Sequence, residues 1–275
     1  MRQALDAGRR AGANDEQLER VVRQTLKLLQ RIPPQSTPPE IGDQVHRLVR
    51  QEVGHGDPYR EAKQASTEQA LALYPRLKEM VQAADDRLDV ALRLSIAGNI
   101  IDLGPHQRYD LWEVIERVLA QPFALDHREA FWRAIDAADQ ILYLGDNAGE
   151  TVFDRILIET LGVPVVYVAK GGPVLNDATV EDAEAAGLSQ CAEIVSNGSD
   201  APGTILTRCS EDFQQRYRQA QIVIAKGQAN YETLSEAGPK AFFLLQCKCP
   251  VIAGDAGVPV GSIILVQGES IDGSL

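Results

Sequence analysis

Residues 140–150 have the sequence QILYLGDNAGE, an apolar run followed by Asp146, Asn147, a glycine and Glu150. The run is short and contains β-branched and aromatic residues, which is typical of a buried strand, and helical spacing follows it. The same order recurs to the end of the chain, with strand-like runs at 163–169, 193–196, 221–225, 241–246 and 261–267. Apolar strands that alternate with helices predict a mostly parallel sheet covered on both faces.

Residues 1–138 show a different pattern, with apolar residues at helical spacing and no strand-like alternation. Asp57 and Pro58 suit the cap and the first turn of a long helix. The predicted helices cover 15–31, 39–53, 57–83, 86–101, 110–120 and 126–138. We therefore expect an all-helical domain over 1–138 and an α/β domain over 139–275.

Composition and charge exclude several classes of protein. The chain has 275 residues, of which 39 are acidic and 27 basic, and a formal net charge of −12. Nucleic acid is excluded as a partner because phosphate neutralisation needs clustered Lys and Arg. The apolar fraction of 44% is normal for a folded protein and excludes a disordered chain.

Membrane and secretory signals are absent from the sequence. No apolar run approaches the roughly 20 residues of a transmembrane helix. Residues 1–10 lack the apolar segment of a signal peptide. Four cysteines in a chain of this length do not make a disulfide framework. We therefore expect a cytoplasmic protein without a membrane partner, and the oligomeric state stays open.

Polar, glycine-containing sequence follows each strand of the central group. Because ligands bind beyond the carboxyl ends of parallel strands, these segments predict one site at one edge of the sheet. The candidate residues in them are Asp146, Asn147, Glu150, Lys170, Asp177, Lys226, Gly227 and Asn230.

Two carboxylates and an amide in this group suggest a metal site. Asp146, Asn147 and Asp177 form an all-oxygen set that suits Mg²⁺ or Mn²⁺. The same residues also fit ordinary helix caps. Residues 139–275 contain no histidine, which excludes a histidine-rich metal site there, and they hold 18 acids against 8 bases. Most of the negative charge thus lies in the half with the predicted cation site.

Lys170 and Lys226 each end a strand and precede a glycine. Such a lysine can be solvated in a turn, or it can bind phosphate beside backbone N–H groups. Carboxylates that hold a metal beside two lysines suit phosphoryl transfer. Neither a G-x-G-x-x-G dinucleotide motif nor a P-loop is present.

Five segments together resemble the metal-dependent damage-control phosphatases, a family first catalogued as a domain of unknown function. They are IAGNIIDLG (96–104), DNAGE (146–150), KGGPVLNDAT (170–179), AKGQANYETL (225–234) and FFLLQCKCP (242–250). The chain is most similar to the prokaryotic branch, and the family also includes the acidic-residue-methyltransferase-like metal-binding domain. The resemblance implies a helical domain packed on a Rossmann-like, three-layer α/β/α domain that binds metal and substrate.

The resemblance also implies roles for particular residues. Asp146, Asn147 and Asp177 would hold a divalent ion (Mg, Mn, Co or Ni). Lys226 would contact the substrate phosphate. Asn99 and Asp102 would face the cleft, although both also fit a plain helix C-terminus. The expected catalytic residues are Asp146, Asp177 and Lys226, and the expected substrate-binding residues are Asn99, Asp102, Glu150, Lys170, Lys226, Gly227 and Asn230.

The main hypothesis is hydrolysis of phosphate monoesters of small metabolites, with phosphosugars expected first. The nucleophile is either a water on the metal or the carboxylate of Asp146 through an aspartyl-phosphate. Asp177 and Glu150 are candidates to handle the proton. The alternatives are a non-catalytic phosphometabolite-binding protein and, ranked lower, an S-adenosylmethionine-dependent carboxyl methyltransferase. Prokaryotic relatives usually carry a Cys-x-x-Cys shortly before the positions that match residues 2–5. Here Met1 falls where that pair would just have ended, so we expect either that the chain starts at a late methionine or that the pair has been lost, with Cys249 as its orphaned partner.

Overall fold

The strands predicted after residue 138 all form, and they pair in a single sheet. The computed structural model describes residues 1–54, 56–100 and 111–269. The strands are β1 (Phe123–Asp126), β2 (Ile141–Leu144), β3 (Val165–Ala169), β4 (Glu193–Ser196), β5 (Ile222–Lys226), β6 (Ala241–Gln246) and β7 (Ile263–Gln267). The helices are α1 (Arg2–Arg10), α2 (Asp15–Leu29), α3 (Pro38–Val53), α4 (Arg60–Ala83), α5 (Arg87–Ile100), α6 (Leu111–Ala120), α7 (Arg128–Asp136), α8 (Thr151–Leu161), α9 (Val180–Ala185), α10 (Glu211–Gln219), α11 (Gly227–Leu234) and α12 (Pro250–Asp255).

The sheet has the strand order β1-β7-β6-β5-β2-β3-β4. Neighbouring strands are parallel except β6 and β7, which pair antiparallel. From β2 the chain builds outward through β3 and β4, then returns to the other side of β2 to place β5 and β6. This reversal makes a topological switch point between β2 and β5, where open α/β sheets bind their ligands. The predicted α/β class with a mostly parallel sheet is confirmed.

One strand lies where we predicted none. β1 belongs to the half expected to be wholly helical, and it extends the sheet by pairing parallel with β7, Phe123 with Ile263 and Leu125 with Ile264. Its four residues alternate between half-buried and exposed positions, as befits an edge strand. Four residues are too few to show a period, and the partner strand lies far along the chain. The prediction of no strand before residue 138 is therefore wrong, while the two-domain division stays a prediction.

Helices cover both faces of the sheet, with one apolar core on each. In β2 the side chains alternate between the two cores, Ile141 and Tyr143 on one side and Leu142 and Leu144 on the other. The first core contains residues of α4 to α8, and the second contains residues of α10 to α12. Helices α1 to α3 bury a third, smaller cluster among themselves. The expected three layers are present.

Helix α5 packs closely against α8, and one glycine makes this approach possible. A Cβ atom on Gly98 would lie 2.7 Å from Cβ of Phe153 in α8. No ordinary side chain tolerates that distance, so a residue larger than glycine would push the two helices apart. The contact brings Asn99, the next residue, to the carboxyl end of β2.

No helix among the described residues combines the length and the apolar character needed to cross a membrane.

Candidate active site

The site is built at the switch point, where β2 runs into Asp146 and β5 runs into Gly227. Gly227 has a φ of 80°, a left-handed conformation that glycine adopts without strain. A Cβ atom on Gly227 would lie 1.9 Å from Oδ2 of Asp146. The absence of a side chain at the start of α11 is therefore what leaves room for the aspartate.

The segments after β2 and β3 are joined by backbone contacts. Asn147 and Asp177 form an isolated antiparallel bridge. The N–H of Ala148 donates to the carbonyl of Asn176 at 2.9 Å, and the N–H of Ala178 donates to the carbonyl of Asp146 at 2.8 Å. This pairing fixes Asp146, Asn147 and Asp177 together although they lie 30 residues apart in sequence.

Helix capping does not explain these three residues. Glu150 occupies the N-cap position of α8 and makes no side-chain capping bond. Thr179 is the N-cap of α9, where it forms a capping box with Asp182. Among the described residues, the side chains of Asp146, Asn147 and Asp177 therefore make no capping bond to α8 or α9.

The prediction that Asp57 caps α4 is wrong. That helix starts at Arg60 with Tyr59 at its N-cap, and Asp57 instead accepts from the N–H of Tyr59 at 2.9 Å.

The negative charges of Asp146 and Asp177 repel one another, and burial leaves little water to screen them. Burial, with Asp177 and Glu150 nearby, raises the pKa of Asp146 well above its usual value. Burial also raises the pKa of Asp177, and Lys170 opposes this effect. A cation placed between these carboxyl groups would favour their ionised forms.

The donor chemistry of this set fits a hard divalent cation. Oδ1 of Asn99 and Oδ2 of Asp177 are buried, and among the described residues neither has a hydrogen-bond partner. Oδ2 of Asp177 does lie 3.4 Å from Nζ of Lys170, an ion pair without hydrogen-bond geometry. The described parts of the chain hold no cluster of three His, Cys, Asp or Glu side chains arranged for a metal.

Asn99 connects α5 to the site. Its Nδ2 donates to Oδ2 of Asp146 and to Oε2 of Glu150, both at 2.9 Å. Nδ2 of Asn147 lies 3.2 Å from Oδ2 of Asp146 and 3.3 Å from Oε2 of Glu150. The structure therefore places the amide of Asn99 beside Asp146 and Glu150. Asp102, its predicted neighbour, lies outside the described residues.

Lys226 is at the site but lies below its surface. The side chain is fully buried, and its Nζ donates to Oε1 of Glu150 at 2.5 Å, to Oδ1 of Asp154 at 2.6 Å and to the carbonyl of Ser95 at 2.9 Å. Burial disfavours the charged ammonium, but Asp154 and Glu150 outweigh it and raise the pKa of Lys226 above its usual value. The residue is a protonated lysine whose three N–H groups are all engaged.

Lys170 and Asn230 are also engaged with protein groups. Lys170 is buried, pairs with Asp177 and donates to the carbonyl of Gly203. Nδ2 of Asn230 donates to the carbonyls of Gly145 at 3.2 Å and Lys226 at 2.8 Å, and its Oδ1 accepts from Thr204 at 2.7 Å. Asn230 thus ties the end of β2 to the start of α11.

Lys248 is a cation of the site that is missing from the residues predicted from the sequence. It follows β6, is exposed, and donates through Nζ to the carbonyl of Asn99. Its charge opposes the rise in the pKa of Asp146, ahead of Lys170 in size. A signal was available, since Lys248 follows β6, whose carboxyl end lies at the same edge of the sheet as that of β5.

The fold and this geometry define an α/β protein with an oxygen-lined acidic site and adjacent lysines at a Rossmann-like switch point. The sequence model of the damage-control phosphatase ARMT1-like domain matches residues 1–264. The chain belongs to that family, which confirms the family predicted from the five motif segments.

Relatives extend over most of the chain. It is 36% identical over 223 residues to a damage-control phosphatase of Pyrococcus horikoshii, covering 79% of this chain and 77% of that protein. It is 32% identical over 233 residues to a damage-control phosphatase of Archaeoglobus fulgidus, covering 82% and 80%. A crystal structure of a DUF89 family protein from P. horikoshii matches with a TM-score of 0.88 at 30% identity, covering 98% of this chain and 95% of that one.

Proposed function

We propose that this chain is a metal-dependent phosphatase that hydrolyses phosphate monoesters of small metabolites, phosphosugars first among them. The observation that carries the proposal is the junction of Asp146, Asn147 and Asp177 across the Asn147–Asp177 bridge. The names of the relatives, damage-control phosphatases, support the reaction class. The surplus of acids over bases in residues 139–275 disfavours extended polyanions and is compatible with a small substrate.

Asp146, Asn147 and Asp177 would hold the divalent cation, and the raised pKa of both aspartates supports this assignment. The chemistry that a bound divalent cation supplies is polarisation of phosphoryl oxygens and neutralisation of their charge. The oxygen donors fit Mg²⁺ or Mn²⁺, with Co²⁺ and Ni²⁺ as further candidates.

The lysines would bind the anionic end of the substrate. Lys248 is exposed and, among the described residues, is in no ion pair, so it can meet a phosphate without losing a carboxylate partner. Lys170 forms an ion pair with Asp177 and so offsets its negative charge. Lys226 stays a proposed phosphate ligand. To bind a phosphate it must give up one of its present acceptors, and of these Glu150 is the one that also accepts from Asn99.

Hydrolysis joins a water oxygen to phosphorus and breaks the ester P–O bond. One proton leaves the water and one reaches the departing alcohol. Glu150 and Asp177 are the candidates to hold these protons, and their charges act on Asp146. The same geometry allows the carboxylate of Asp146 to attack first, and trapping of an acid-stable phosphoenzyme distinguishes this route from direct attack by water.

The test is phosphate release from a phosphosugar panel with Mg²⁺, Mn²⁺, Co²⁺ or Ni²⁺, and with chelator, while ligand binding is followed by thermal shift. The proposal expects metal-dependent release that chelator abolishes. Stabilisation by phosphosugars without release would indicate a binding protein. Tight binding of S-adenosylmethionine without a divalent ion would indicate a methyltransferase.

A further inference from the structure

Asp154 is a buried carboxylate on which five elements of the fold converge. It lies on α8 with no solvent exposure. Its Oδ1 accepts from Tyr143 of β2 at 2.7 Å, from Ser95 of α5 at 3.0 Å and from Lys226 of β5 at 2.6 Å. Tyr167 of β3 lies 3.4 Å from its Oδ2, a weaker contact.

None of these four partners is one of the predicted metal ligands. Tyr143 and Tyr167 are buried in the core between the sheet and α8, so Asp154 lies one layer beneath the predicted metal ligands. An isolated charge at such a depth costs several kcal/mol unless it is paired, which means that Asp154 and Lys226 depend on each other.

The contacts continue from Lys226 to the site surface. Nζ of Lys226 binds Oε1 of Glu150, and Oε2 of Glu150 accepts from Asn99. Nδ2 of Asn99 also donates to Asp146. A connected path of hydrogen bonds thus runs from Asp154 in the tyrosine-lined core to Asp146. It passes through the ammonium of Lys226, the carboxylate of Glu150 and the amide of Asn99.

We propose that Asp154 is a positioning residue that, supported by Tyr143, anchors the ammonium of Lys226 and thereby holds Glu150 and Asn99 against Asp146. The consequence for catalysis rests on the proposed phosphatase function. Nζ of Lys226 has three acceptors, and of these Glu150 is the one that also accepts from Asn99 and Asn147. Asp154 and the carbonyl of Ser95 are the two acceptors that hold the ammonium of Lys226 independently of Glu150.

The test compares Asp154→Leu, which replaces both acceptor oxygens by methyl groups, with the conservative and isosteric Asp154→Asn, which keeps one acceptor oxygen. The matched control is Glu159→Leu near the other end of α8. Glu159 likewise accepts from a tyrosine and from cations, namely Tyr74 at 2.7 Å, Lys78 at 2.8 Å and Arg155 at 2.8 Å. Because the Glu159 side chain is 20% exposed whereas Asp154 is fully buried, both variants are assayed where urea unfolding shows them folded, so that a difference in kcat does not reflect a difference in stability.

With p-nitrophenyl phosphate and Mn²⁺, we expect kcat of Asp154→Leu to fall about thirtyfold or more, because displaced reacting groups cost up to a hundredfold. Asp154→Asn should recover most of that loss, and Glu159→Leu should stay within about twofold of the wild type. Equal kcat in the two leucine variants would overturn the proposal. If Asp154→Leu does not fold, Tyr143→Phe decides, with a fall in kcat of about threefold expected and an unchanged kcat contradicting the proposal.

Amide hydrogen exchange of the metal-free protein separates this proposal from the proposed function. Asp154→Leu should speed exchange in residues 145–150 about tenfold, while Glu159→Leu leaves it unchanged. An absence of phosphatase activity in the wild type would refute the function and leave this comparison decisive. Unchanged exchange in Asp154→Leu would refute the positioning role even in an active enzyme.

Discussion

Oδ2 of Asp146 occupies space that only a glycine at position 227 leaves open, since a Cβ atom there would lie 1.9 Å away. Asp146 follows β2 and Gly227 follows β5, two strands that are adjacent in the sheet but about 80 residues apart in sequence. This close approach explains why the lysine that ends β5 is followed by a glycine, and it predicts that a methyl group at position 227 disturbs the site.

Gly227→Ala should lose activity by more than its cost in stability explains. Strain in the left-handed conformation costs about 1–2 kcal/mol, and the new methyl group must also displace Asp146. Gly238→Ala is the matched control, because Gly238 has a φ of 86° and no atom within 4 Å of the added Cβ. Denaturant unfolding should show similar strain in both variants, with phosphate release reduced strongly in Gly227→Ala alone. Equal activities would contradict the assignment of this contact to the active site.

Lys248→Met should raise KM for a phosphate ester about tenfold or more, because a charged hydrogen bond is worth about 1.5–3 kcal/mol. Stability should change little since Lys248 is exposed. Lys240→Met serves as the control at the opposite end of β6, where Lys240 binds the carbonyl of Tyr217. Steady-state kinetics at low and moderate salt measure the effect. If the two variants had the same KM, Lys248 would not be a ligand of the substrate phosphate.

Gly98→Ala should both destabilise the protein and lower its activity. The added methyl group would meet Cβ of Phe153 at 2.7 Å, and such overpacking costs about 1–3 kcal/mol. Because Asn99 is the next residue, displacement of α5 also disturbs Asp146. Gly254→Ala in α12 has open space around the new atom and should be neutral or slightly stabilising. Urea unfolding and phosphate release together distinguish the two variants.

His46 should make the protein less stable as the pH falls below 7. Burial, and then the charge of Arg50, lowers the pKa of His46 to about 4 from 6.5. Between these values the unfolded chain binds more protons than the folded one, so this contribution to stability falls with falling pH, by about 2 kcal/mol from pH 7 to pH 5. His46→Gln should show a shallower pH dependence of unfolding than the wild type. If His46→Gln kept the wild-type slope, titration of His46 would not be the cause of the pH dependence.

Much of the architecture could be predicted from the sequence because the central strands are continuous apolar runs that need no partner to be recognised. The predicted bounds of β4 and β6 agree with the structure to the residue. The strand β1 was missed because four alternating residues acquire strand geometry only by pairing with β7. That pairing depends on the tertiary fold, and no local period reveals it.

Candidate site residues could be predicted because parallel strands present their carboxyl ends at one edge. The direction of each side chain could not be predicted. Lys226 was expected at the phosphate, and the structure places its ammonium beneath the site with Glu150 and Asp154. Asp154 carries no sequence signal of its own, since it is the fourth residue of an amphipathic helix and acquires its role only from the strands above it.

A metal-dependent phosphatase site at Asp146 is tested most directly by the rate of phosphate release by Asp146→Ala relative to the wild type. The rate is measured with saturating Mn²⁺ on the phosphosugar that the wild type hydrolyses fastest. We predict a loss of about a hundredfold or more, since the variant removes a metal ligand and a group beside the reacting phosphate. Circular dichroism should show the same fold in both proteins. A folded Asp146→Ala variant that releases phosphate at the wild-type rate would contradict the placement of the metal and the reaction at this aspartate.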